Sequence, residues 1–305
     1  MKYGGHETFP IREGWLHKGL RLLTEEPEKL VAEDAADWLG VGRNMAKSIR
    51  HWLVATQLAT PTGRRGSGKS VTLEPSDLGG LVWENDPYFL DPETWWALHI
   101  NLLANPDHAL VWGWFFNQFS GSRFERAVSY EAADRFVKQQ ERRPPSQRTL
   151  HRDVACLLQS YAHKVPDEIL DPEDVRHCPF IELGLMSHYR GSGVYELHRG
   201  LKSVSAELFA YSITKAKWPA QEGEHLDFEL YDLWSLPNGP AKSFVLSHES
   251  LFDLAMKCEA ESNPKDLRIV GMAGQRILRV ANKPPLEWLA QWYRRNATHQ
   301  ETVAV

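Results

Sequence analysis

The 305-residue chain has only three cysteines, Cys156, Cys178 and Cys258, far apart and without a C-x-x-C pair. That argues against a zinc ribbon or a disulfide framework and leaves reduced thiols as the expectation. No run of about 18 apolar residues occurs, and the opening MKYGGHETFPIREGW lacks the apolar stretch of a signal peptide, so a soluble, cytoplasmic protein with no membrane partner is expected. A third scarcity is local. Between Arg43 and Ser70 there is no Asp or Glu but there are six Lys/Arg, although the whole chain carries a formal charge of -5, which leaves about -11 for the rest. Positive charge concentrated in this way points to a nucleic-acid phosphate backbone as partner.

The pattern inside that window is more specific than its charge. Leu30, Val31, Ala35, Ala36 and Leu39 recur at helical spacing, stop at Gly40-Val41-Gly42, and the period resumes with Met45, Ile49, Trp52 and Leu53. This predicts a helix, a tight glycine turn and a second helix. On the second helix Arg43, Lys47 and Arg50 stand at i, i+4 and i+7 beside Asn44, away from the Ile49/Leu53 stripe. That is the layout of a helix-turn-helix recognition helix, against the plainer reading of a solvated amphipathic helix pair. A glycine-rich tip with Arg64, Arg65 and Lys69 then runs into the β-prone Val71-Thr72-Leu73, where a winged helix would place a basic wing.

Residues 63–70, GRRGSGKS, also match the phosphate-loop pattern G-x-x-x-x-G-K-S/T. Such a loop needs a buried strand before it and a helix after its lysine. The preceding LATPT is short and polar, and Pro75 breaks the apolar patch on the other side, so nucleotide hydrolysis is not expected.

The rest of the chain reads as mainly α with small β-hairpins, an α+β protein. Its amino-terminal winged helix-turn-helix with an arm would span 1–85, a helical domain 86–170, and an α+β domain with a second wing-like hairpin 171–305. In the middle, Trp95, Leu98, Leu102 and Leu103, then Leu110, Trp112, Trp114, Phe115 and Phe119, form apolar stripes split at Asn105-Pro106 and favour core over a base-stacking surface. Asp91 or Thr94 could cap the first of these helices, Ser146 opens another, and Arg148, His151 and Arg152 on the latter offer a second phosphate-contacting surface or a solvated face. The acidic, proline-bearing stretch 165–177 is the expected boundary. Beyond it, helices are expected at about 203–218 and after Ser247, a strand at 226–233, and a hairpin around Gly271–Gly274 with Arg268, Arg276 and Arg279 on its polar face.

The dense polar cluster is GGHETFPIREGWLHKG. A nuclease needs groups that activate water or hold a divalent ion, for which His6 and Glu7 are candidates, and cations that neutralise the phosphate, for which Arg12 and Lys18 are candidates. Adjacent residues do not share a face, so His6-Glu7 makes a poor metal pair alone; the competing reading buries Phe9, Ile11, Trp15 and Leu16 and bonds the charges locally. Glu84, Asp86, Asp91 and Glu93 are numerous enough to bind Mg²⁺ but also suit turns and caps.

GHETFPIREGWLHKG, LGVGRNMAKSIRHWLVA, ENDPYFLDPETWWALHINLLANPDHALVW, LHRDVACLLQSY and CPFIELGL occur in this order. Together they resemble the SspB-like bacterial family, first catalogued as a domain of unknown function associated with PAPS-reductase-like proteins. The resemblance spans most of the chain and thins after about residue 235. It implies a protein that binds double-stranded DNA and nicks one strand within a phosphorothioate-modification and anti-phage defence system. Implied partners are a cysteine desulfurase, an ATPase and an ATP-pyrophosphatase-like sulfur-transfer protein, and a homodimer is an open arrangement. Mg²⁺ or Mn²⁺ is the expected cofactor of the nicking reaction. The family supplies no secure catalytic residue, so the His6, Glu7, Arg12 and Lys18 assignment rests on local chemistry. Under this reading Cys178, in HCPFIELGL, is either a persulfide carrier activated by His177 or, as its setting favours, a small buried residue. The alternative function is a non-catalytic DNA-binding regulator or scaffold, which the lack of a P-D…D/E-x-K arrangement favours.

Overall fold

The computed structural model describes residues 2–62, 72–165, 178–219, 222–272 and 275–303. It is mainly helical with three small sheets, and the chain divides into two compact units, Met1–His198 and Arg199–Val305. The division falls after His198 rather than in the acidic stretch. Strand pairing explains this, since strands from both sides of residues 166–177 lie next to each other in one sheet.

The first unit opens with helices α1 (Trp15–Glu25), α2 (Pro27–Val31), α3 (Ala35–Leu39) and α4 (Arg43–Ala55). α3 ends where Gly40 turns left-handed at φ 62°, which lets the Val41 N–H reach the Ala36 carbonyl at 3.0 Å and starts α4 three residues later. One face of α4 buries Ala46, Ile49, Trp52 and Leu53. It lies so close to α1 that a Cβ on Gly19 would sit 2.6 Å from the Ile49 side chain. A short antiparallel hairpin comes next, β1 (Ala59–Thr62) with β2 (Thr72–Pro75), then α5 (Asp77–Asn85), whose cap Ser76 accepts the Gly79 N–H. The element after GRRGSGKS is therefore a strand paired with β1, not the helix a phosphate loop requires; the stretch itself, with Arg64, Arg65 and Lys69, lies outside the described residues.

Helices α6 (Pro92–Leu103) and α7 (Pro106–Gln118) separate at Asn105-Pro106, as the breaker dictates, and Asp91 caps α6. Most of the apolar stripe is core: Leu98, Leu102, Leu103, Trp112, Trp114 and Phe115 are buried, while Trp95, Leu110 and Phe119 are half-buried. Strand β3 (Arg123–Glu125), α8 (Arg126–Gln140), α9 (Gln147–Tyr161), β4 (Ala162–Val165), a 3-10 turn at Pro179–Leu183, β5 (Met186–Tyr189) and β6 (Val194–Leu197) complete the unit. The sheet order is β3-β6-β5-β4, with β4 parallel to β5 and the other pairs antiparallel.

In the second unit the run Ala206–Thr214 of α10 (Ala206–Lys217) is buried throughout. Strand β7 (His225–Glu229) is shorter than the expected 226–233, because Leu230 begins α11 (Leu230–Ser235). Then come α12 (Pro240–Ser243), α13 (His248–Glu261) capped by Ser247, β8 (Leu267–Met272), β9 (Gln275–Ala281) and α14 (Pro285–Val303). The β8–β9 hairpin is as expected and extends to a β7-β9-β8 sheet. There Asp227 takes Arg279 in two hydrogen bonds of 2.7 and 2.6 Å, so that arginine is committed within the sheet. Among the described residues no helix is long and apolar enough to cross a membrane.

Candidate nucleic-acid interface

The amino-terminal arm is fastened by one buried pair. His6 Nε2–H donates to Asp153 Oδ1 at 2.8 Å, and the Thr8 N–H donates to His6 Nδ1 at 3.0 Å, which fixes the ring in the Nε2-protonated tautomer. Asp153, on α9, also accepts the Gly4 N–H on both oxygens, at 3.0 and 3.3 Å. Both residues are about 2% exposed or less. The imidazole packs against α4 and α7, its centroid 6.0 Å from His51, 6.1 Å from Trp52 and 5.7 Å from Trp112. A Cβ at Gly5 would collide with the His51 ring, so the arm runs against α4 with no room for a side chain. The turn after His6 puts Glu7 and Thr8 at φ 49° and 71°.

This arrangement does not suit a divalent ion. Each His6 nitrogen and each Asp153 oxygen already has a partner, whereas Mg²⁺ asks for several open oxygen donors in an octahedron. The acidic stretch before α6 is equally committed. Asp86 accepts from Leu90 N, Asp91 N and the Thr94 hydroxyl at 2.8, 3.1 and 2.7 Å, and Asp91 accepts from Glu93 N at 2.9 Å. Among the described residues no three His, Cys, Asp or Glu side chains converge on a point where a metal could sit.

The candidate residues fall into separate places. Glu7 leaves the arm at the surface and lies 3.9 Å from Lys47 on α4. Arg12 spreads over the Phe9 and Trp15 rings at 5.4 and 5.3 Å and borders a cleft on the β-sheet of the unit. Lys18, on α1, reaches the Leu39 carbonyl at 3.4 Å. On α4, Arg43, Asn44 and Lys47 are exposed. Arg50 is half-buried, with Nη1 3.4 Å from the Leu30 carbonyl, and that burial lowers its pKa from the usual range. On α9, Arg148 and Arg152 are exposed, while His151 bonds Asp134 at 3.1 Å and stacks on Tyr130. The arm thus runs between two helices that each present cations, α4 and α9. The sequence reading missed Asp153, yet it falls in the buried stripe Leu150, Asp153, Val154, Leu157 of α9, where a carboxylate demands a buried partner.

Cys178 is buried and its thiol is pushed up to about 12 by that burial, the opposite of an activated sulfur. His177 lies outside the described residues.

The fold and this surface define a mainly α, two-unit protein whose first unit carries a short-turn helix pair, an adjoining hairpin and exposed cations on α4. Residues 3–293 match the family model described as "Protein of unknown function (DUF4007)", and the chain belongs to that family. It is SspB-like in structure as well. A magnesium ion-bound SspB crystal structure superposes with a TM-score of 0.83 at 28% identity, covering 96% of this chain and 88% of that one. Another SspB crystal structure gives 0.82 at 27% identity with the same coverage. A comparison with curated proteins found no match.

Proposed function

We propose that this chain docks double-stranded DNA through α4 and the β1–β2 hairpin, as a winged helix-turn-helix would, and nicks one strand as a component of a DNA phosphorothioation system. The observation that carries the docking is the exposed Arg43, Asn44 and Lys47 on the helix that begins after the Gly40 turn. Arginine and asparagine there can reach base edges or phosphates, and lysine serves as a phosphate contact. Arg64, Arg65 and Lys69 would extend the contact from the wing, and Arg148 and Arg152 from α9. Arg50, half-buried, contributes charge more than a direct contact. Likeness to SspB over nearly the whole chain supports the phosphorothioation context, with sulfur-transfer proteins, a desulfurase and an ATPase as partners.

For the nicking step, Glu7 is the candidate group open to water beside the docked backbone. His6 is a positioning residue that holds the arm, and Arg12 and Lys18 remain cations for the phosphate. Metal dependence, on Mg²⁺ or Mn²⁺, is part of this proposal, but no metal-borne step is assigned to the His6–Asp153 pair. The second reading is a DNA-binding scaffold without chemistry of its own. It is favoured by the burial of His6 and Asp153, which withdraws both from substrate. The deciding experiment is conversion of supercoiled plasmid to open circle by purified protein with Mg²⁺ or Mn²⁺, with EDTA and Glu7→Gln as controls. Metal-dependent nicking diminished in Glu7→Gln supports the enzyme and this site. Plasmid that binds yet stays supercoiled supports the scaffold.

A further inference from the structure

A cleft of about 680 Å³ opens on the sheet of the first unit, bordered by Arg12, Arg126, Lys164, His188, Arg190 and Tyr195. Its volume suits a nucleotide-sized group. Four of its described lining residues carry full positive charge and none is a carboxylate, in a chain whose net charge is -5. Strand register builds the wall: Lys164 on β4 pairs with His188 on β5, and His188 with Tyr195 on β6, so the three stand in one row across the sheet. The His188 and Tyr195 rings stack with centroids 4.1 Å apart. Arg126, at the start of α8, donates to the Tyr195 hydroxyl at 2.9 Å. That neutral partner orients the guanidinium without cancelling its charge, and neither Arg126 nor Lys164 forms an ion pair among the described residues. The surroundings register the excess: burial first, then Arg126, Arg190 and Lys164, lower the His188 pKa below its ordinary value.

We propose that this cleft is a binding site for a phosphoryl anion, carried either by a nucleic-acid strand or by a free phosphate compound. A monocarboxylate is satisfied by one cation; the Arg126 fork and the Lys164 ammonium together, with no carboxylate among the described lining residues, match the greater charge and several oxygens of a phosphoryl group. The cleft has no lining residue on α4 and shares only Arg12 with the residues proposed for nicking.

The test follows the His188 imidazole by NMR in the full chain, titrated with inorganic pyrophosphate and separately with a short single-stranded oligothymidylate. An occupying anion favours the imidazolium, so the His188 pKa rises on binding. In Arg126→Gln/Lys164→Gln, changed at two exposed positions, affinity falls about tenfold or more. A response to pyrophosphate identifies a free phosphate compound as sufficient; a response to the oligonucleotide alone identifies the strand. Absence of any His188 response to both ligands overturns the proposal, and so does an undiminished response in the double variant. Arg43→Ala/Lys47→Ala keeps the response, so failure of the α4 surface and failure of this cleft are read separately.

Discussion

His6 and Asp153 form a buried hydrogen bond of 2.8 Å between residues 147 positions apart, and this bond ties the amino-terminal arm to α9 while the same imidazole leans on α4. The arm is thereby part of the core of the first unit rather than an appendage.

Asp153→Ala removes the acceptor of both the His6 Nε2–H and the Gly4 N–H, leaving one buried and one part-buried donor without a partner. The expected loss of stability is on the order of 3 kcal/mol, seen as a lower urea midpoint at unchanged slope. His6→Ala also destabilises, because it leaves the buried Asp153 carboxylate with the Gly4 N–H alone. If either variant unfolds at the wild-type midpoint, the arm is not anchored by this bond.

His51 is an acid-sensitive point. Its Nε2 is enclosed without a hydrogen-bond partner, and burial, then the neighbouring His6, lower its pKa well below the ordinary 6.5. Because the folded state resists the proton, the unfolded chain binds more protons below pH 6.5. Stability is fully present above that value and falls as pH drops through it, by up to about 1.4 kcal/mol per pH unit. Denaturation midpoints measured from pH 7.5 to 5 should show this decline, and His51→Gln should flatten it. An identical decline in the variant would assign the sensitivity to another group.

The thiols should be inert. Burial holds Cys178 near 12 and pushes Cys156 well above its usual value, and Cys258 is buried as well. Thiol-specific reagent at pH 8 is expected to label native protein far more slowly than urea-unfolded protein. Rapid labelling of native Cys178 would revive the persulfide-carrier reading.

Much of the fold was legible because local signals and tertiary packing agree in it. The Gly40 turn, the Asn105-Pro106 break and the caps at Asp91, Ser146 and Ser247 stand where residue chemistry placed them. The end of β7 was not legible, since Leu226, Phe228 and Leu230 alternate as in a strand while Leu230 and Leu233 also fit a helical period. Nor was the grouping of the site. His6 and Glu7 are sequence neighbours that the positive-φ turn sends to different environments, one to Asp153 and one to Lys47. The cationic cleft was hidden for a related reason: Arg12, Arg126, Lys164 and Arg190 come from four separate stretches, and the pairing of β4, β5 and β6 sets Lys164 in one row with Tyr195, the partner of Arg126.

Whether α4 holds duplex DNA is read from duplex affinity as a function of salt for wild type and Arg43→Ala/Lys47→Ala. The two side chains are exposed, so the variant should fold normally. The variant should bind more weakly, with a slope of log affinity against log salt reduced by about two units, one for each lost phosphate contact. Unchanged affinity and an unchanged slope would contradict it.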